Sequence, residues 1–77
     1  MKITVSQKHI EQGERRNHEW CPIALAIRQA IPQSYPFVEG DFILIKETSY
    51  RVPKAVNEFM RDFDNGKLVT PFFFNLK

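Results

Sequence analysis

Residues 20–31 read WCPIALAIRQAI, and this stretch decides the fold. Pro22 suits the first turn of a helix, because the amide hydrogen that it lacks would have no partner there. Pro32 follows the stretch and prevents the helix from continuing. The apolar side chains leave only Arg28 and Gln29 as a narrow polar strip. A helix that is apolar nearly all round is buried on more than one side, so we expect a central helix with the other elements packed around it.

Before the central helix, the pattern predicts a strand and a short helix. Residues 2–5 alternate between polar and apolar side chains, which is typical of a strand with one buried face. Ser6 is a good N-cap for a short helix that runs to Gln12, and Gly13 is a plausible helix stop. His9 in that helix is compatible with either a core or a surface position.

Beyond Pro32, short apolar runs separated by turn residues predict strands at 37–38, 42–46 and 50–52, with turns at 39–41 and 48–49. Pro53 then opens a second amphipathic helix whose apolar stripe consists of Val56, Phe59, Met60 and Phe63. Residues 64–66 supply an Asn and a Gly for its left-handed cap. Residues 72–76 form the last strand, which starts after a proline.

These elements follow the order β-α-α-β-β-α-β, in which residues 50–52 add a further short strand. Helices separated from runs of short strands indicate an α+β domain. We therefore predict a single domain over residues 1–77, with a mostly antiparallel sheet packed on the central apolar helix and the second amphipathic helix. The two terminal strands are expected to be neighbours, because pairing protects chain ends from fraying.

The charge balance argues against a protein dedicated to coating DNA. The chain carries 11 basic and 9 acidic residues, a formal charge of +2, whereas such proteins cluster lysine and arginine more heavily. No apolar run reaches transmembrane length, and the N-terminus does not read as a signal peptide. One unpaired cysteine fits a reducing compartment. We expect a cytoplasmic protein that does not associate with membranes.

The short chain also predicts self-association. A domain of 77 residues has a marginal core, which small proteins strengthen with disulfides, metals or oligomerisation. The lone Cys21 excludes an internal disulfide, and with only His9 and His18 it makes no zinc-site spacing. We therefore expect the protein to be stabilised by forming a homo-oligomer.

Two groups of motifs resemble a family of small proteins common in bacteriophage genomes. The first is HIxxG at residues 9–13 followed by CPIALA at 21–26, and the second is FxxxFDxG at 59–66 followed by PFxF at 71–74. The resemblance covers nearly the whole chain and implies a phage origin, without bringing catalytic residues. It also implies a counter-defence role, in which such proteins bind a host protein or an immune signalling molecule.

Cys21 is the strongest candidate for a catalytic residue. It stands at a predicted helix N-terminus, where the helix dipole can lower a thiol pKa, and His18 lies three residues before it. However, a cysteine flanked by Trp20, Pro22 and Ile23 more often packs as a small buried hydrophobe. No glycine-rich oxyanion turn or orienting carboxylate completes a triad. We therefore predict a protein that is not an enzyme.

The acidic residues do not indicate a metal site either. Glu39 and Asp41 flank a turn glycine, and Asp62 and Asp64 lie at a helix end. Neither pair stands with a histidine at metal-ligand spacing, and a solvated surface explains them. We expect neither a metal nor a cofactor.

Basic and aromatic residues near two helix starts make the best candidate binding site. Arg15, Arg16 and His18 precede the central helix, so their charges can join its free amides around an anion, and Trp20 adds a face for base stacking. The alternative is an exposed connector whose charges Glu14 and Glu19 offset.

A similar basic and aromatic pair lies before the helix that Pro53 opens. Tyr50 and Arg51 there would suit a phosphate-bearing ligand held between protomers. The alternative is a strand whose polar face simply carries Arg51.

We therefore expect a phage-encoded, non-enzymatic binding protein of the host cytoplasm that sequesters a nucleotide-type immune signalling molecule as a homo-oligomer. One alternative is a protein-directed inhibitor of a host defence complex, as anti-CRISPR proteins are. Another is a small nucleic-acid-binding accessory factor, which the balanced charge disfavours. A pocket with convergent polar groups would favour sequestration, whereas an exposed patch of about 800 Å² per partner would favour the inhibitor.

Overall fold

The computed structural model describes residues 1–76 and has the predicted α+β class. Three helices and five strands follow one another along the chain: β1 (Lys2–Val5), α1 (Gln7–Gln12), α2 (Pro22–Ala30), β2 (Phe37–Val38), β3 (Phe42–Ile45), β4 (Thr48–Arg51), α3 (Lys54–Asp64) and β5 (Phe72–Asn75). This order is the predicted one, with the additional short strand included.

The α2 helix lies at the centre of the core, as its composition predicts. Pro22, Ile23, Ala24, Ala26 and Ile27 are buried, and the helix contacts β1, α1 and β2. Cys21 is the N-cap, and its Sγ accepts the amide hydrogen of Ala24 at 3.4 Å. The sulfur thereby satisfies one of the free N–H groups of the first turn.

The two ends of the chain pair with each other, which confirms the prediction for the terminal strands. Antiparallel β1 and β5 place Ile3 opposite Phe74 and Val5 opposite Phe72. Ile3, Val5 and Phe74 are buried, whereas Phe73 faces the other side and is exposed. The apolar alternation read from the sequence therefore determines which face of this ribbon meets the core.

The remaining strands form a second antiparallel sheet in the order β2-β3-β4, so residues 1–76 form two small sheets and not one. The connector before α2 explains the separation. His18 accepts the amide hydrogen of Val38 through its backbone oxygen at 2.9 Å, and its Nδ1 lies 2.8 Å from the carbonyl oxygen of Val38. These contacts occupy the outer edge of β2, so no further strand pairs there.

The turn between β3 and β4 lies earlier than predicted. Thr48 and Ser49 pair with Ile45 and Leu44 as strand residues, and the chain reverses at residues 46–47. Lys46 adopts φ of 56° in this turn. A two-residue connection with positive φ matches the right-handed twist of the flanking strands, which explains why the strand takes up the two residues predicted to turn.

The predicted apolar stripe places α3 against the rest of the core. Val56, Phe59 and Phe63 are buried, and Met60 packs against them half-buried. Phe59 contacts Phe72 of β5 with 4.8 Å between ring centroids. The left-handed residue after the helix is Gly66 and not Asn65, with φ of 77°.

The short α1 helix begins and ends where the sequence predicts. Ser6 caps it, accepting the amide hydrogen of His9, and the His9 ring reaches back to the amide of Ser6. His9 is only 7% exposed, so the structure places it in the core. Gly13 ends the helix with an ordinary φ of −72°, and glycine is needed there because a Cβ would lie 2.5 Å from Cδ of Pro22.

Candidate functional site

A cleft of about 320 Å³ lies between the connector before α2, the β2–β3 turn and α3. We call it the α3 cleft. Its buried lining is apolar and includes Val38, Phe59 and Phe63. Polar side chains from all three elements also line the cleft: Arg16, Asn17, His18, Glu39, Asn57, Arg61 and Asp64. The arrangement suits a ligand with an apolar or ring-bearing body and polar substituents.

Asn17 organises the connector that forms one wall of the cleft. Its Oδ1 accepts the amide hydrogens of Glu19 and Trp20, both at 3.0 Å. Its Nδ2 donates to the carboxylate of Glu14 at 3.1 Å, and its backbone oxygen accepts from Cys21. An asparagine side chain that bonds the backbone two residues on is a common turn device. The connector therefore enters α2 in a defined conformation.

Arg16 ties the connector to the end of α3. Its backbone amide donates to Oδ1 of Asp64 at 2.9 Å, and its φ of 56° turns the chain at this point. The guanidinium remains exposed at the rim, as does that of Arg61. Within residues 1–76 neither group lies within 4.0 Å of a carboxylate. Two cations without an ion-pair partner thus line the same cleft.

His18 lines the cleft, and its hydrogen bond to β2 determines which ring nitrogen carries a hydrogen. Nδ1 lies 2.8 Å from the Val38 carbonyl oxygen, which only accepts, so Nδ1 carries the hydrogen. The ring stacks on Phe37 with centroids 4.7 Å apart. Nε2 lies 3.5 Å from Oε1 of Glu39 and makes an ion pair only when the imidazole is protonated. His18 therefore joins the β2 edge to a carboxylate of the cleft.

A shallower depression adjoins the α3 cleft on the side of β4. Gly40 and Asn57 line both, and Nδ2 of Asn57 donates to the Gly40 carbonyl oxygen at 2.7 Å. Arg51 and Lys54 lie in this depression. Asp41 lines the same depression, and Lys54 lies 3.9 Å from Glu58, so the charge of this depression is mixed.

The six predicted binding residues do not line a single cavity. Arg16 and His18 line the α3 cleft, and Arg51 lines the adjoining depression. Arg15 packs on α3, where its Nε donates to the Phe63 carbonyl oxygen at 3.2 Å. Tyr50 is half-buried against the core.

Trp20 lines neither the α3 cleft nor the adjoining depression, and it contacts a cation that was not among the predicted site residues. The guanidinium carbon of Arg28 is 4.2 Å from the Trp20 ring centroid. The indole is therefore already occupied on one face by this cation–π contact. Its other face is free to stack on a base, so the predicted stacking role of Trp20 stays a prediction.

Sequence reasoning also missed Asn57, Arg61 and Asp64, which all come from α3 or its end. The apolar stripe of that helix predicts only its buried face, and polar residues beside such a stripe are normally interpreted as solvated surface. The FD motif at residues 63–64 was a usable signal, since an aspartate at a helix C-terminus is unfavourable for the dipole unless it has a partner. Here the partner is the backbone amide of Arg16.

Cys21 lines the α3 cleft but is buried, as the packing interpretation predicts. Burial raises the pKa of its thiol, and the amide hydrogen of Ala24 only partly opposes this effect. The protonated thiol is not the nucleophilic form. Cys21 therefore has a capping and packing role.

Residues 1–76 contain no group of three or more His, Cys, Asp or Glu side chains arranged to hold a metal ion. None of the helices formed by these residues is both long and apolar enough to cross a membrane.

Comparison with known proteins gives no match. No protein-family model, no curated protein and no solved structure is significantly similar to this chain.

Proposed function

We propose that this protein is a non-enzymatic binding protein that holds a small anionic, ring-bearing molecule of the nucleotide class in the α3 cleft. The observation that carries the proposal is the composition of that cleft. Its interior is lined by the buried rings of Phe59 and Phe63, and its rim carries the guanidinium groups of Arg16 and Arg61. An aromatic interior favours a heterocycle, and two cations without ion-pair partners among residues 1–76 favour a phosphate group.

The carboxylates of the cleft narrow the ligand class. Glu39 and Asp64 lie among the same lining residues as the two arginines. A nucleic acid strand would bring many phosphates past these negative charges, which is unfavourable. A single small molecule can instead present its phosphate to the arginines and its ring N–H groups to the carboxylates. The mixed rim therefore supports a mononucleotide or cyclic dinucleotide over a polymer.

The biological setting of the proposal rests on the resemblance to phage proteins. A phage-encoded binder in the host cytoplasm would lower the free concentration of an immune signalling nucleotide by stoichiometric sequestration. Self-association would place several clefts on one particle. The depression with Asp41, Arg51 and Lys54 adjoins the cleft, so a longer ligand can extend into it and meet Arg51.

Calorimetric titration with a panel of cyclic dinucleotides and ADP-ribose derivatives tests the proposal. Charge-assisted hydrogen bonds are worth about 1.5–3 kcal/mol each, so Arg16→Gln and Arg61→Gln should each weaken binding roughly ten- to a hundredfold. Arg28→Gln is the matched control, because Arg28 does not line the cleft, and it should bind as the wild type does. Light scattering of the same samples gives the number of subunits.

Two results would overturn the proposal. Absence of binding to every member of the panel would exclude a nucleotide as the ligand. Equal affinity of the wild type, Arg16→Gln and Arg61→Gln for a bound nucleotide would place the site outside the α3 cleft. A monomer mass at all concentrations tested would leave the ligand assignment standing and remove the homo-oligomer.

A further inference from the structure

A second surface with recognition chemistry lies outside the α3 cleft. It consists of Trp20, Arg28 and Tyr35, and we call it the Trp20 cluster. The guanidinium carbon of Arg28 is 4.2 Å from the Trp20 ring centroid and 5.7 Å from that of Tyr35. Nε of Arg28 donates to the backbone oxygen of Glu19 at 3.2 Å. The guanidinium therefore lies close to both aromatic rings and is tied to the backbone of the connector.

The loop after α2 presents Tyr35 to solvent. Tyr35 is 70% exposed, although its neighbours Ser34 and Pro36 are fully buried. Gln33 and Tyr35 adopt φ of 63° and 48°, a left-handed conformation that is uncommon for residues with bulky side chains. Buried residues on both sides of Tyr35 thus hold its ring outward. The exposure of the Tyr35 ring therefore results from the packing of the loop and not from a mobile chain end.

The exposure of these rings is not explained by the core. Trp20 is 47% exposed, and neither Trp20 nor Tyr35 belongs to the core cluster or the half-buried residues packed on it. Tryptophan, tyrosine and arginine are the residue types that dominate the binding energy of protein interfaces. Here one residue of each type meets at one surface. A preformed arrangement of this kind lowers the entropy cost of binding a partner.

The charge at the centre of the cluster indicates the chemistry of the partner. Arg28 makes no ion pair within 4.0 Å among residues 1–76, and the only side-chain hydrogen bond that it makes there uses Nε. The terminal nitrogens of a guanidinium bind a carboxylate in a bidentate manner. Single-stranded nucleic acid requires a basic groove along its backbone, whereas this cluster has a single cation. A protein carboxylate fits this surface better than a phosphate chain.

We propose that the Trp20 cluster is a docking surface for an acidic protein segment, in which an Asp or Glu side chain pairs with Arg28 and adjacent apolar side chains pack on Trp20 and Tyr35. None of the three residues lines the α3 cleft. The surface is thus separate from the proposed nucleotide site, and either assignment can fail without the other.

Selection from a random peptide library against the full chain tests this proposal. We expect the selected sequences to share an Asp or Glu next to an aromatic or aliphatic residue. A synthetic peptide of the consensus should change the emission of Trp20, which is the single tryptophan of the chain. A library without an acidic consensus overturns the proposal.

Variants then locate the binding site of the selected peptide. Arg28→Lys keeps the charge and loses the planar fork, and Tyr35→Gly removes the ring at a position whose positive φ glycine tolerates. We expect each to weaken binding roughly tenfold or more. The control is Phe73→Ala. Phe73 lies in β5 and is 58% exposed, and Nζ of Lys2 is 4.4 Å from its ring centroid, so it resembles the cluster in chemistry but lies on another element. This variant should bind normally.

The variants can also contradict the proposal. Unchanged affinity in both Arg28→Lys and Tyr35→Gly overturns the proposal, as does equal weakening by Phe73→Ala. Displacement of the peptide by a single-stranded oligonucleotide would assign the surface to nucleic acid instead. Thermal unfolding of each variant, followed separately by circular dichroism, distinguishes loss of binding from loss of fold.

Discussion

Nε2 of His9 lies 2.6 Å from the amide oxygen of Gln29, and this contact joins the short α1 helix to the central α2 helix. The backbone amide of Ser6 donates to Nδ1 of the same ring at 3.0 Å. Because Nδ1 accepts a hydrogen, Nε2 carries the ring hydrogen and donates it to Gln29. One neutral imidazole thus completes the cap of α1 and attaches that helix to the core.

We expect His9→Ala to lower the free energy of unfolding by about 1–3 kcal/mol, because it leaves the Gln29 oxygen and the Ser6 amide without their partner. Gln29→Ala should cost less, since its side chain lies nearer to solvent. Urea unfolding of both single variants and the double variant gives the coupling energy of the pair. The exposed Gln7→Ala, whose partner is Glu11, is the control for helix propensity. A His9→Ala variant as stable as Gln7→Ala would contradict this role.

Gly13 should be intolerant of any side chain for a packing reason. A Cβ there would lie 2.5 Å from Cδ of Pro22, which is fixed in the first turn of α2. We expect Gly13→Ala to destabilise the fold by about 1–3 kcal/mol, the usual cost of overpacking. Gly40→Ala is the matched control, because its nearest atom would be Nδ2 of Asn57 at 3.8 Å. Equal stability of the two variants in urea would mean that Pro22 moves aside at no cost.

Ser34 carries a buried hydroxyl that should lower the stability of the fold. Its Oγ has no hydrogen-bond partner among residues 1–76, and the residue is fully buried. An unsatisfied buried polar group costs about 1–3 kcal/mol, so Ser34→Ala should raise the free energy of unfolding by about 1 kcal/mol. The exposed Ser49→Ala should leave it nearly unchanged. A loss of stability in Ser34→Ala would show that the hydroxyl is bonded in solution.

Cys21 should make the fold sensitive to alkaline pH. Burial raises the pKa of the thiol above its ordinary value of 9.0. Below that value both the folded and the unfolded chain keep the proton, and the full contribution to stability is present. At higher pH the unfolded chain loses the proton first, so the contribution falls until the folded thiol also ionises.

The measurement compares urea unfolding of the wild type and Cys21→Ala near neutral pH and at about pH 10. Cys21→Ala should be less stable near neutrality by about 1 kcal/mol, the usual cost of losing an N-cap. This deficit should shrink at the higher pH, since only the wild type carries the thiol. A deficit independent of pH would mean that the thiol is not buried in solution.

Local pattern was sufficient to predict most of the secondary structure. Pro22 and Pro32 bound the central helix, and the spacing of Val56, Phe59 and Phe63 predicted the buried face of α3. These features depend on interactions within a few residues, for which the identity of each side chain is decisive. The tight turn at residues 46–47 was missed because a positive φ at Lys46 depends on the twist of the paired strands.

The sequence by itself therefore determined the α+β class, the pairing of the chain ends and the buried faces of α2, α3 and the terminal strands. Tertiary structure alone decided which polar side chains meet. The backbone amide of Arg16 contacts the Asp64 side chain across 48 positions of sequence, and Trp20 lies under Arg28. Apolar periodicity reports only that a face is buried, because the hydrophobic effect is non-directional. Hydrogen bonds and cation–π contacts require a defined distance and angle, which exist only once the helices and strands have packed.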